Sequence, residues 1–225
     1  MKKQTKNAQH KFRKKHGLEK LGLMSNKRWI EDPRGLLFSL SRYKFVSKML
    51  EGKKNVLEVG CGDGWFSRVV KQTVKNLTLS DSDKIFIQDA KKRKKGRWKF
   101  SYMVHNMTKN STRLKYDGIY LLDVFEHIEK KNEKKFIKNI IYSLSKNGVV
   151  IIGVPSLEFQ KYVKNPDPTH VNCKTSDQLK KFLSHFFYNT FFFSMNDETV
   201  HTGFKRMANY FIVVCTEPKI TNEKK

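Results

Sequence analysis

The stretch VLEVGCGDG, residues 56–64, sets a short apolar run directly before three glycines on alternate positions. A run of this length reads as a buried strand. A glycine turn leaving a strand lets a ligand approach the backbone closely at the start of the next helix. That pairing belongs to parallel α/β architecture, and the remaining pattern agrees with it.

Ahead of the turn, LLFSLSRYKFVSKML carries Leu37, Leu40, Tyr43, Val46 and Leu50 three to four residues apart, which predicts one helix face, ended by Gly52. Strands are read at 55–60, 76–80, 98–104, 116–122 and 148–154, and in YNTFFFSM and ANYFIVVC. Helices are expected from about Asp63, from Ser82 to Lys95, and after the fourth strand with Phe136, Ile137, Ile140, Ile141 and Leu144 inward. A loop over 155–175 with three prolines precedes a helix capped by Ser176, its Leu179, Phe182, Leu183 and Phe186 facing the core. The final two strands have a ten-residue link without a helical pattern, so they are expected to pair antiparallel.

The 225 residues suit one domain, with no internal repeat and no splitting linker. Residues 1–28 hold ten lysines or arginines against the single Glu19, so 1–30 reads as a basic mobile arm, 31–216 as the domain and 217–225 as a polar tail. No apolar run reaches the ~20 residues of a membrane span, and no signal-peptide core follows the basic start, so a cytoplasmic protein is expected. Cys61, Cys173 and Cys215 are odd in number and lack metal-ligand spacing, as free thiols would. The net charge of +25 suits a nucleic acid partner, yet 37 lysines against 9 arginines spread along the chain look more like a compositional habit than a footprint.

The glycine spacing excludes two nucleotide motifs. A dinucleotide fingerprint would need its third glycine at Trp65, where an indole is too bulky for close helix–strand packing. A phosphate-binding P-loop would need a Gly-Lys-Ser/Thr sequence that is missing. What is present is E-x-G-x-G-x-G: Glu58, Gly60, Gly62 and Gly64. With Asp81 ending the second strand and YDGIYLLDVFEHIE entering the fourth loop, the chain resembles class I S-adenosylmethionine-dependent methyltransferases over roughly residues 36–215. The D-V-F-E-H-I segment and SLSKNGVVIIGVPS resemble the branch holding ubiquinone-biosynthesis O-methyltransferases and glycan-modifying enzymes, and DPTHVN and SMNDETVHTGF resemble later segments of bacterial relatives.

The resemblance implies a Rossmann-like, seven-stranded, mostly parallel sheet with an antiparallel last strand and helices on both faces. It implies S-adenosylmethionine as cofactor, held by Arg42, Glu58, Gly60, Cys61, Gly62, Asp81, Asn106 and Leu122. Asp81 would accept two ribose hydroxyls, Leu122 would meet the methionine end, and Arg42 resembles an arginine aimed at the methionine carboxylate. His105 and Asn106 stand where relatives offer an acidic group to adenine, a departure from the pattern. Structural roles stay open for Glu58 and Asp81, and Cys61 is given no chemistry of its own.

Ligands of such sheets sit beyond the carboxyl ends of the strands. Segments 123–127, 155–172 and 196–204 share that rim and contribute His127, His170 and His201 with Asp123, Glu126, Asn172, Asn196, Asp197 and Glu198. His127 and His170 are the candidates for taking a proton from a hydroxyl acceptor. Asp123, Glu126, Asn172, Glu198 and His201 are the candidates for binding it. Asp123, Glu126 and His127 also match an arrangement that holds Mg²⁺ in the ubiquinone-pathway relatives. The expected activity is methyl transfer to a hydroxyl of a small molecule or glycan. The alternatives are RNA, gripped by the arm and KKRKKGRWK, or a cofactor-binding scaffold without turnover.

Overall fold

The computed structural model describes residues 2–93 and 98–219. Four residues of the KKRKKGRWK stretch, 94–97, and most of the expected polar tail, 220–225, lie outside the described residues.

Two helices precede the core, α1 (Lys2–His16) and α2 (Leu23–Glu31), followed by α3 (Pro33–Met49). Asp32 caps α3 by accepting the Gly35 N–H, with Pro33 at its first position, where a missing N–H costs nothing. Alternating strands and helices come next: β1 (Asn55–Val59), α4 (Ser67–Lys71), β2 (Asn76–Asp81), α5 (Lys84–Lys92), β3 (Ser101–Val104) and β4 (Tyr116–Leu122). The second half holds α6 (Lys130–Tyr142), β5 (Leu144–Pro155), α7 (Leu157–Gln160), α8 (Ser176–Ser184), β6 (Phe187–Asn196), β7 (Thr199–His201) and β8 (Tyr210–Pro218).

The strands form one sheet in the order β3-β2-β1-β4-β5-β8-β6-β7. The pairs from β3 through β5 are parallel, and β8 runs antiparallel to both β5 and β6. The chain reverses its winding between β1 and β4, the position where open α/β sheets form a ligand crevice. Pro155 of β5 and Met195 of β6 both lie opposite Tyr210 of β8, so β5 and β6 end at one edge. The expected rim therefore exists.

Alternation within each strand feeds two cores. Leu57, Ile119, Val150, Ile152 and Val213 face one layer with Phe136, Ile137 and Ile140 of α6 and Leu179 and Leu183 of α8. Val56, Tyr120, Ile151 and Ile212 face the other with Tyr43 and Val46 of α3, Leu50 and Val70. Burial on both faces explains why these strands read as continuous apolar runs.

Several details depart from the sequence reading, among them Leu144, expected on the helix after the fourth strand, which opens β5 instead. The sheet has an eighth strand, β7, a three-residue partner of β6 formed across a turn in which Asp197 has φ 50°. The helix expected from about Asp63 starts only at Ser67, because the positive φ angles at Gly62 and Gly64 hold the chain out of helical geometry until the turn is complete. Leu36 is buried in place of Leu37, which is exposed. Thr175, and not Ser176, caps α8, in a reciprocal capping box with Gln178. Among the described residues no helix is long and apolar enough to cross a membrane.

Candidate active site

The glycine turn after β1 is the first part of the site. Gly60 and Gly62 have φ 71° and 52°, a region in which a Cβ is strained. Space is equally restrictive, since a Cβ at Gly60 would collide with Val124. The Gly62 N–H donates to Asp81 Oδ2 at 2.9 Å, while Asp81 Oδ1 accepts from the Asp83 N–H at 2.9 Å. One carboxylate at the end of β2 thus fixes the turn and keeps further acceptor capacity. Burial pushes the Asp81 carboxyl above its ordinary value, against the pull of those amide bonds.

Glu58 lies beneath the turn. Its carboxylate is fully buried and accepts from Tyr43 Oη at 2.6 Å and Tyr120 Oη at 2.7 Å. Burial pushes Glu58 up to about 7, the tyrosine hydroxyls holding it back only in part. In the folded chain Glu58 therefore keeps its proton to higher pH than the ordinary value near 4.5. Stability from this residue is greatest below that value and falls as the pH rises from about 4.5 to about 7. The expected loss across that window is on the order of 3 kcal/mol. Glu58→Gln should flatten it, which urea unfolding at pH 5 and pH 8 of both proteins would measure. An unchanged difference between the two pH values would show that Glu58 is not responsible.

Cys61 is buried and its thiol pushed far up by that burial, so it carries no nucleophile. Asn106 turns onto its own loop, accepting from the N–H and hydroxyl of Thr108. Leu122 is buried at the end of β4, against Gly153 of β5.

The second part of the site stands at the end of β4. Asp123 has φ 56°, an uncommon conformation for a residue with a side chain. It is held there by its N–H, which donates to the Gly153 carbonyl at 3.1 Å and to Tyr210 Oη at 3.2 Å, and by Arg42 at 2.7 Å. The Arg42 guanidinium also lies 3.7 Å above the centre of the Tyr210 ring. Arg42 thereby joins α3 to the ends of β4 and β8.

The third part gathers Glu126, His127 and His170. Their ligand-capable atoms all lie within 4.8 Å of one another, and the imidazoles meet edge to face with centres 4.9 Å apart. Glu126 is buried, and neither of its oxygens has a hydrogen-bond partner among the described residues. Burial, with Asp123 nearby, pushes its carboxyl well up. His127 Nδ1 lies 3.1 Å from the Thr169 carbonyl. A carbonyl only accepts, so Nδ1 carries the hydrogen and the Nε2 lone pair is left available. Burial, then His127, lowers the His170 pKa and favours its neutral form.

Of the remaining rim residues, Asn172 and His201 are turned to other partners. The buried Asn172 donates to Glu133 at 3.0 Å and accepts from Lys174 at 2.9 Å. His201 Nε2 bonds Asn196 Oδ1 at 2.9 Å and its Nδ1 accepts the Gly203 N–H at 3.0 Å, within its own hairpin. Glu198 is exposed at the β6–β7 turn. Sequence reasoning passed over Tyr210, whose only signal was its place at the start of the final strand, and over Met24 and Ser25, which rest on the glycine turn.

A methyltransferase-domain family model matches residues 33–190, more than half of the chain. The chain belongs to that family. This methyltransferase resembles the solved methyltransferase domain of bacterial CtHen1-C, with a TM-score of 0.66 and 18% identity over 80% of this chain and 98% of that one. It also resembles the N-methyltransferase NodS from Bradyrhizobium japonicum WM9 in complex with S-adenosylhomocysteine, at TM-score 0.61 and 18% identity over 85% and 91% of the two chains. The small RNA methyltransferase HEN1 superposes at TM-score 0.69 and 15% identity, over 83% of this chain and 26% of that one. No curated protein matches in sequence. The enzyme is an S-adenosylmethionine-dependent methyltransferase with a Rossmann-like fold.

Proposed function

We propose that the methyltransferase transfers the methyl group to a hydroxyl of its acceptor, with Gly60, Gly62 and Asp81 holding the cofactor and His127 and His170 handling the acceptor's proton. The observation that carries this reading is the group Glu126–His127–His170 on the rim shared with the glycine turn. The sulfonium already activates the methyl group. What remains is to align an in-line displacement, exclude water and remove the proton from the attacking oxygen. Neutral imidazole with a free Nε2 performs that last task near neutral pH.

Glu126 favours a second reading of the same residues, because a buried carboxyl without a hydrogen-bond partner is costly and a bound cation would offset that cost. One carboxylate and two imidazoles are a suitable donor set for a divalent cation. Glu126, His127 and His170 would hold it, whereas Asp123 of the expected triad is occupied by Arg42. When bound, the cation supplies Lewis-acid acidification of the hydroxyl.

A small molecule or glycan is the acceptor class in this reading. RNA is the alternative, supported by the +25 charge and by α1, which has no acidic residue. One experiment separates them. The full chain and a variant lacking residues 1–17, which removes α1 and spares α2, are given labelled S-adenosylmethionine and cell extract divided into nucleic acid, lipid and glycan pools. Labelling of the glycan or small-molecule pool by both proteins supports the first class. Labelling of RNA that the shorter protein loses, with a steep salt dependence, overturns it in favour of RNA.

A further inference from the structure

The basic N-terminal segment includes a helix, α2, that is attached to the protein in an unusual way. Ser25 is the one buried residue of α2, while Leu23, Met24, Trp29 and Ile30 are exposed by half or more. Apolar burial therefore does not hold this helix in place. Polar contacts do, and they converge on the glycine turn. The Ser25 N–H donates to Asp63 Oδ2 at 2.7 Å, and its hydroxyl lies 2.9 and 3.0 Å from the two Asp63 oxygens. The Leu23 N–H donates to Asp89 Oδ2 at 3.3 Å. Gly22, at the N-cap position, offers no side-chain acceptor, so aspartates from the turn and from α5 satisfy amides that a cap would otherwise serve. Arg93 bonds both the Asp63 carbonyl and the Asp89 carboxylate, tying the two together. Glu19 meets Arg68 of α4 at 2.7 Å just ahead of the helix.

The result is a half-exposed methionine above Gly62, with Met24 Sδ 2.5 Å from where a Cβ on that glycine would stand. The missing side chain at Gly62 leaves room for Met24, which therefore stands over the turn that the proposed function gives to the cofactor. We propose that α2 is the outer wall of the cofactor site, that Met24 packs against the bound cofactor, and that Asp63 is the positioning residue that docks the helix. This rests on the reading that the glycine turn holds S-adenosylmethionine. A helix held by a few polar contacts and little apolar burial opens easily, and a ligand that touches it only when docked shifts it toward the docked form. Release of the product S-adenosylhomocysteine then requires α2 to lift.

The test uses the full chain and S-adenosylhomocysteine. Trypsin cleavage at Lys27 and Arg28 of α2 should slow about tenfold at saturating ligand. Met24→Ala, at a half-exposed position, is expected to leave the thermal midpoint unchanged and to weaken affinity about tenfold, mostly through faster dissociation in stopped-flow displacement. Ser25→Ala should restore fast cleavage with ligand present while leaving the thermal midpoint of the ligand-free protein within a few degrees. Ligand binding with unchanged cleavage, and unchanged affinity in Met24→Ala, overturns the proposal and leaves the glycine-turn reading intact. No ligand binding by the unmodified chain overturns both.

Discussion

Asp81→Ala is expected to weaken S-adenosylhomocysteine binding about 100-fold, with the fold retained. The carboxylate has two tasks in one place. It accepts the Gly62 N–H at 2.9 Å, which sets the glycine turn, and it would accept the ribose hydroxyls that the family resemblance assigns to it. An ionised carboxylate bonding two hydroxyls is worth more than a neutral pair, and every tenfold in affinity corresponds to about 1.4 kcal/mol, so losing both bonds accounts for about 3 kcal/mol. Asp81→Asn keeps an acceptor for Gly62 and loses the charge, so it should fall between the two. Calorimetry on the three proteins measures the series. An unaltered affinity in Asp81→Ala would remove the ribose role and leave Asp81 as a brace for the turn alone.

The second large effect is expected at the imidazole pair. His127→Ala and His170→Ala should each lower kcat about 10²–10⁴-fold while leaving S-adenosylhomocysteine affinity within a few-fold, because the proton belongs to the acceptor and not to the sulfonium. The double variant should be little worse than either single one, since residues acting as a unit are strongly non-additive. A chelator arm divides the two readings of the site. Turnover that survives exhaustive chelation assigns the histidines as proton acceptors. Turnover lost to chelation and restored by a divalent cation assigns them, with Glu126, as ligands. Full activity in both single variants would overturn either assignment.

The fold was legible because its information is local. Apolar runs such as GVVIIGV announce strands buried on both faces, and the glycine turn after NVLEV marks where the sheet opens to a ligand. The meeting of His127 with His170 was also within reach, since both segments leave parallel neighbours, β4 and β5, at one edge. The missed features depend on contacts between distant positions. Nothing near Glu58 in sequence says that hydroxyls 15 residues before it and 62 after it will close over its carboxylate. Ser25 and Asp63 are separated by 38 residues, and a basic segment with few apolar anchors gives no sign that its docking is polar. Arg42, singled out for a cofactor carboxylate, also pairs with Asp123, 81 residues away, and stacks on Tyr210, contacts that nothing local announces.

The placement of β8 has a consequence for how the enzyme is made. This strand follows β6 and β7 in the chain, yet it lies between β5 and β6 in the sheet. Without it, β5 and β6 would each have an unpaired edge, that of β6 carrying the FFF run of 191–193. Its arrival completes the core and also brings Tyr210 beneath Arg42 and against the Asp123 amide. One strand thus closes both the sheet and the cluster of Arg42, Asp123 and Tyr210. A chain shortened to end before residue 210 is expected to aggregate, which size-exclusion chromatography would check.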